Sequence, residues 1–380
     1  MAEPRGAKEA APREAYRAAG VDVAAGERAV ELIREAVAST RRPEVVGGLG
    51  GFAGAIGIPA GYGRPLLIAS TDGVGTKAAL ARRAGRLAGL GIDLVAMCAD
   101  DVACAGAEPL FLLDYVAVGR LVPEEVATVV AGVAAGCRLA GCALLGGETA
   151  EHPGVMRPDD LDLAATCVGV VERDDLLDGS AVAAGDVLVG LASSGLHSNG
   201  FSLVRRIVAD ADLDLEERYA DVLRRAAPGV AAEPEHADAP LADVLLAPTR
   251  VYARALLAIR AAVRAAAPRA DVHGIAHVTG VGLPGNVPRI VPDGLAARLD
   301  PGHWTMPSAM RLLGTLGRLD DVELRATFNG GLGMVLSMPP GAAVEAALAT
   351  AAAHGMAGIV VGEVVPVTAT GGRRYVEVRR

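Results

Sequence analysis

The sequence predicts an α+β protein built from two α/β domains, and three observations carry that prediction. At 380 residues the chain is longer than one ordinary hydrophobic core supports. Its 52% hydrophobic and 21% charged content describes a well-packed globular protein rather than a disordered one. Strand-like and helix-like runs recur without strict βαβ alternation, which favours α+β over a doubly wound sheet. The pattern also restarts after a polar connection, Asp174 to Gly185. This divides the chain into a disordered tail at 1–14, a first domain at 15–174 and a second at 175–380. No short-period repeat is present.

Taken in order, Val23 to Val37 carries apolar residues at helical spacing, and a glycine-rich stretch, Gly47 to Gly54, follows. A strand is expected at Leu66–Ala69, helices through Arg83 and from Ile92 to Gly106, and a strand at Pro109–Val118. Pro123-Glu124-Glu125 opens another helix, with proline near the start and acids in the first turn. Strands near Ala143 and at Leu163–Val171 complete the first half. The second half opens with a strand at Asp186–Ala192, a polar glycine turn and a helix from Phe201. The charged, alanine-rich and proline-punctuated segment 208–240 reads as a surface insertion. A helix at Val251–Ala266, strands near Ala297, Ala326 and Gly333–Ser337, a helix at Ala342–Ala353 and two closing strands finish the chain.

Composition removes several function classes. Aromatic residues make up only 3% of the chain and its net charge is −9, so stacking platforms and basic surface for nucleic acid are both scarce. A local basic pocket for a small phosphorylated substrate is still compatible with that charge. The five cysteines, Cys98, Cys104, Cys137, Cys142 and Cys167, form no C-x-x-C pair, which argues against a zinc ribbon or disulfide framework. Reduced thiols of a cytoplasmic protein account for them. Met1 to Gly6 has no apolar signal core. The segment Val126–Gly147 is the most membrane-like, but Arg138 and several glycines interrupt it, so a helix running into a buried strand fits better than a span.

The most informative stretch is Asp72-Gly73-Val74-Gly75-Thr76-Lys77, because Lys77 is one of only two lysines, the other being Lys8. Where nearly every cation is arginine, a lysine after a strand suggests a compact point charge. An acid, two glycines, a hydroxyl and an ammonium resemble the parts of a metal–phosphate site; the alternative is a strand-to-helix turn with a solvated lysine. Gly75-Thr76-Lys77 is not a Walker A loop, and Gly48-x-Gly50-x-x-Ala53 lacks the preceding strand and following helix of a dinucleotide fold. Asp72 ends a strand, Asp101 sits beside Asp100 in an apolar helical pattern, and Glu148 follows the strand at Ala143–Leu145. Buried carboxylates are costly unless paired or bound to a cation. Three acids converging on one sheet edge would suit Mg²⁺; helix capping and surface solvation are the alternatives. In the second half, Ser193 to Gly200 lies between a strand and a helix and would make an anion site. His197, in that loop, is a stronger candidate than His273 or His277, for which a structural role is the simpler reading.

Taken together these strings closely resemble the phosphoribosylformylglycinamidine cyclo-ligase, or AIR synthase, family. The likeness runs through Tyr16–Asp22, Arg41–Val45 with Gly47–Phe52, Thr71–Lys77, Gly91–Cys98, Gly106–Phe111 and Gly146–Glu151 with Pro153-Gly154. It continues through Ser193–Gly200, Ala247–Arg250, Ile275–Gly280, and Thr327-Phe328-Asn329 with Gly331–Met334. The resemblance implies ATP-dependent ring closure of formylglycinamidine ribonucleotide to aminoimidazole ribonucleotide. It also implies a homodimer joined by first-domain strands in a shared β-barrel. Carried over residue by residue, it puts ATP at Gly48, Gly50, Gly51, Asp72, Gly73, Gly75, Thr76 and Lys77, and Mg²⁺ at Asp72, Asp101 and Glu148. Lys77 and His197 become the catalytic residues. The substrate falls to Ser194, His197, Ser198, Asn199, Thr249, Arg250, Thr279 and Gly280.

The chain departs from the family in three motifs, and its 208–240 segment is longer than is typical. Asp100-Asp101 stands where the family usually has Asn-Asp. Thr279-Gly280-Val281-Gly282 replaces a run of glycines, and a β-branched residue disfavours the positive φ such a turn uses. Gly285-Asn286-Val287-Pro288 replaces Glu-Asn-Ile-Pro. Related enzymes fit less well: selenophosphate synthetase needs a cysteine upstream of Cys98, the hydrogenase-maturation factor needs a C-terminal cysteine, and thiamine-monophosphate kinase lacks the Ser193–Gly200 and Thr327–Asn329 strings. A non-catalytic nucleotide-binding regulator would have no need to keep Asp72, Asp101 and Glu148.

Overall fold

The computed structural model describes residues 19–48, 50–267 and 270–378; the tail expected at 1–14 lies outside them. The first helix, α1 (Val23–Ala38), starts where the Asp22 carboxylate accepts the Ala25 N–H at 3.1 Å, a typical N-cap. Two short antiparallel strands, β1 (Val45–Val46) and β2 (Ala55–Ile56), flank the glycine-rich loop. Then come β3 (Pro65–Gly73), α2 (Lys77–Arg83), α3 (Ala88–Cys104), β4 (Glu108–Val118), α4 (Pro123–Ala140), β5 (Ala143–Glu151) and β6 (Leu161–Glu172).

Strands β3, β6, β4 and β5 form one sheet in that order; β4 and β5 run parallel and the other pairs antiparallel. Helix α4 has Pro123 at its start and ends on Gly141 in the left-handed conformation, as its sequence signals predict. It crosses α3 with backbones almost touching: a Cβ on Gly132 would sit 2.1 Å from the Ala88 carbonyl oxygen. Val126, Val129, Val130 and Val133 are buried there, which explains the apolar character of this stretch. Among the described residues no helix is long and apolar enough to cross a membrane. Among the described residues no helix covers the opposite face of the sheet, and Leu67, Leu113 and Tyr115 there are at least 40% exposed.

The second half contains β7 (Val187–Ala192), α5 (Phe201–Asp210), α6 (Tyr219–Ala226), α7 (Leu241–Leu245), α8 (Ala253–Ala266), β8 (Gly274–His277) and α9 (Gly282–Asn286). It continues with β9 (Leu295–Leu299), α10 (Ser308–Gly317), α11 (Asp321–Thr327), β10 (Leu332–Met338), α12 (Ala342–Ala353), β11 (Gly358–Pro366) and β12 (Tyr375–Glu377). Its six-stranded sheet has the order β12-β9-β11-β7-β10-β8 and is antiparallel except for β12 against β9.

Two sequence expectations are corrected. The strand expected near Ala326 is helix α11, fixed by a capping box in which Asp320 and Glu323 each accept the other's backbone N–H. The presumed surface insertion at 208–240 carries α6, whose Tyr219, Val222 and Leu223 are buried. One apolar cluster runs unbroken from Leu94 and Val102 of the first half to Leu256, Ile259 and Met334 of the second, so the two halves share a core.

Candidate active site at the domain seam

Helix α3 builds the seam. Asp93 and Asp100 are seven residues apart, two helical turns on one face, and both are fully buried. Asp100 Oδ1 accepts the N–H groups of Tyr252 and Ala253, each at 2.8 Å, so an acid of the first half caps α8 of the second. Burial pushes its carboxyl up to about 7 against the pull of those amides. The sequence left its role open; it is a helix cap.

Asp93 accepts the Thr249 N–H at 2.7 Å and the Thr249 hydroxyl at 2.6 Å. Its other partner is Lys77, whose ammonium donates to Asp93 at 2.9 Å, to the His197 carbonyl at 2.8 Å and to the Ala247 carbonyl at 3.0 Å. Phe201 lies 5.3 Å from the same ammonium. An ammonium has three protons, and all three are engaged. Lys77 is only 1% exposed, and burial depresses it against the pull of Asp93. The expected phosphate-neutralising role is therefore corrected: Lys77 locks the 193–200 loop and residue 247 to α3.

His197, expected to be catalytic, is also buried. Its Nε2 accepts the Ser194 N–H at 3.2 Å, and its backbone holds φ +60°. Burial, with the charges of His277, Lys77 and Arg250, holds it well below the ordinary histidine range, so it is neutral and shapes the loop. Ser198 and Thr249, assigned to substrate, hydrogen-bond each other at 3.0 Å inside the seam; their burial removes them from the surface. Ser194 donates to the Pro248 carbonyl at 2.8 Å and Arg250 to the Gly355 carbonyl at 2.9 Å. Asn199 rests against Met97 of α3, with Nδ2 3.9 Å from the sulfur. A Cβ on Gly280 would lie 3.5 Å from the Asn199 Oδ1, so the two second-half turns meet there. Thr279 is half-buried, its hydroxyl 3.4 Å from the Asn286 side-chain oxygen.

Beside this seam lies a cleft of about 360 Å³, lined by Ser70, Asp101, His277, Asn286 and Arg289 among others. Asp101 accepts His277 Nδ1–H at 2.9 Å and the Ser70 hydroxyl at 3.1 Å. Burial pushes Asp101 up, but the hydrogen bond and charge of His277, with Ser70, hold it below the usual carboxylate range. Asp72 is raised, first by burial and then by the charge of Asp101, against the Gly73 N–H it accepts at 2.7 Å. Two carboxylates that act on each other this way fit a divalent cation: Mg²⁺ takes one or two carboxylates and fills its remaining positions with water and phosphate oxygens.

Glu148 does not join them within one chain. The register aligns Glu148 with Tyr115, Ala164 and Gly73, one residue past the row that holds Asp72. Adjacent rows point to opposite faces, so Glu148 belongs to the open face of the sheet. Among the described residues no three His, Cys, Asp or Glu side chains are gathered to hold a metal ion. Gly48, Gly50 and Gly51 are exposed beside the β5 edge, where a Cβ on Gly54 would meet Leu145. Gly73 ends β3 at the other edge, and Gly75 and Thr76 follow it. The residues assigned to ATP thus divide between two sheet edges. Asp93, His277 and Arg289 were not anticipated as site residues; the seven-residue spacing of Asp93 and Asp100 on an apolar helix was the available signal for the first.

Residues 53–171 match the AIR synthase related protein, N-terminal domain, and residues 183–373 match its C-terminal domain. The phosphoribosylformylglycinamidine cyclo-ligase of Thermosynechococcus vestitus is 51% identical over 350 residues, covering 92% of this chain and 96% of that one. The chain belongs to the phosphoribosylformylglycinamidine cyclo-ligase (AIR synthase) family. The cyclo-ligase of Sorangium cellulosum is 47% identical over 93% of this chain and 95% of its own. Among solved structures, thiamine-monophosphate kinase from Stenotrophomonas maltophilia superposes with a TM-score of 0.63 at 18% identity, over 92% of this chain and 95% of that one. The hydrogenase maturation protein HypE in complex with ATP gives 0.62 at 18% identity, over 93% and 90%. At that identity these two share the fold of the family with this chain. The α+β, two-domain architecture expected from sequence is the family's.

Proposed function

We propose that this protein closes an imidazole ring in purine biosynthesis, using ATP to convert formylglycinamidine ribonucleotide to aminoimidazole ribonucleotide with release of ADP and phosphate. The observation that carries this is its near half-identity, over more than nine-tenths of both chains, to enzymes named for that reaction. The chemistry needs ATP because a formyl amide oxygen leaves poorly. Transfer of the γ-phosphoryl group to that oxygen makes an iminophosphate; a nitrogen of the substrate then attacks the carbon, and the oxygen departs as phosphate. The protein's contribution is positioning and charge neutralisation.

In this reading Asp72 and Asp101 hold Mg²⁺, which when bound offsets phosphate charge. His277 keeps Asp101 ionised and aimed. Asn199, Ser194, Arg250, Thr279 and Gly280 border the substrate, and Lys77, His197, Ser198 and Thr249 hold that border in shape. A homodimer follows from the open sheet face: two copies packed through Leu67, Leu113 and Tyr115 would cover the apolar surface and enclose Glu148, which one chain leaves outside. A cytoplasmic location is our reading too, supported by five free thiols.

The test is a coupled assay for ADP and for the aminoimidazole product. Purified protein with Mg²⁺ should release ADP only with formylglycinamidine ribonucleotide, one imidazole per ADP. ADP release without imidazole would sink the assignment.

A further inference from the structure

We infer that the groove between α2 and α5 is a binding site for a phosphomonoester group, with Arg83, Arg205 and Arg206 as its ligands; the inference rests on the ribonucleotide chemistry proposed above. The two helices come from different halves of the chain, and each starts at one of the glycine turns singled out by sequence, 72–77 and 193–200. They enclose a groove of about 400 Å³ floored by the small residues Ala79 and Ala209. Arg83 comes from α2, Arg205 and Arg206 from α5, and no carboxylate lines the space. Nearby the Thr76 and Ser202 hydroxyls hydrogen-bond each other at 3.1 Å, which leaves one hydroxyl proton of the pair free to donate.

Charge makes the groove unusual. In a protein of net charge −9 most arginines are paired, yet among the described residues Arg83 and Arg205 have no hydrogen-bond or ion-pair partner, and Arg206 reaches only Asp210 at 3.8 Å. Three like charges around one groove repel unless an anion joins them. Guanidinium forks match phosphate oxygens with two N–H groups each. Lys77, the cation first expected to meet phosphate, faces inward with every proton engaged. The arginines one turn and more beyond it are the cations that remain on that side.

The first experiment needs no turnover. Inorganic phosphate is titrated calorimetrically into wild type and into Arg83→Gln/Arg205→Gln at constant ionic strength, with the exposed α1 variant Arg34→Gln as a charge control. Wild type and Arg34→Gln should bind with the same affinity, and the double variant should bind about tenfold more weakly or worse. Equal binding in all three proteins, or none in wild type, overturns the site. Steady-state kinetics of the double variant then separate the sources of the group. A rise in KM for the ribonucleotide with kcat and the ATP KM unchanged assigns the groove to the substrate's 5′-phosphate; a rise in the ATP KM alone assigns it to the nucleotide. Loss of phosphate binding with a wild-type protein inactive on the ribonucleotide would retain the groove and refute the cyclo-ligase reading instead.

Discussion

Replacing Lys77 with methionine separates a structural lysine from a phosphate-binding one. Methionine keeps the length and most of the volume of the side chain, so the loss is electrostatic. The ammonium is fully buried and donates to Asp93 and to two carbonyls that close the seam. Breaking a buried ion pair from one side costs roughly 3–5 kcal/mol, because the partner charge stays buried. Asp93 keeps its two bonds from Thr249, which softens that loss. The His197 and Ala247 carbonyls lose a charged donor, at about 1 kcal/mol or more each. Together these give about 4 kcal/mol, a large share of the ~5–15 kcal/mol that holds a protein folded. Urea unfolding of Lys77→Met should show that loss, and adding Asp93→Asn should cost far less than the sum of the single changes, since both remove one interaction. If Lys77→Met loses less than about 1 kcal/mol while its KM for ATP rises at least tenfold, the ammonium meets phosphate and the seam account is wrong.

Three further outcomes are expected. Asp101→Asn keeps its oxygen as acceptor for His277 Nδ1–H, and its amide NH2 can donate to the Ser70 hydroxyl, so its unfolding curve should stay close to wild type while kcat falls by about a hundredfold or more; near-normal turnover would exclude a metal ligand at this position. Val281 is 67% exposed with φ +63°, a conformation that strains a β-branched residue, so Val281→Gly should raise the urea midpoint by about 1 kcal/mol of stability, and a lower midpoint would show that its side chain contributes more than the strain costs. His273 is raised above its ordinary value by its 2.8 Å hydrogen bond to Asp186, which is itself held low despite its burial. A raised histidine contributes stability that is full below its unfolded pKa of about 6.5 and lost as pH climbs through the folded value. His273→Gln should therefore cost about 1 kcal/mol at pH 6 and much less at pH 9, and a cost independent of pH would remove the charged pair.

Sequence reading located the important turns better than it assigned their atoms. Lys77 stood out because lysine is rare here, and its neighbourhood does organise the seam. Whether a residue at the start of a helix points outward or inward depends on what packs over it, and Phe201 and Ala247 lie more than a hundred residues away. Asp72 and Asp101 could be paired from sequence because both end or line elements next to glycine turns. Glu148 was grouped with them because strand order and pleat parity, which send it to the other face, are not local properties. The strand expected at Ala326 overlooked the capping signal Asp320-x-x-Glu323, which was legible. Tyr219 of α6 was hidden by the charged residues around it, since a short helix can bury one face while its composition looks exposed.

The caps contributed by α3 also bear on how the chain is made. Asp93 and Asp100 are surrounded by apolar residues of the first half, but apart from Lys77 the groups that satisfy them, Thr249, Tyr252 and Ala253, are synthesised much later. When Glu172 leaves the ribosome the first sheet has all its strands and Lys77 is available to Asp93, but Asp100 still lacks its backbone donors. At ordinary rates of synthesis the missing residues follow several seconds afterwards. Residues 249–253 complete the hydrogen bonding of both acids, which ties the completion of α3 to the second half of the chain.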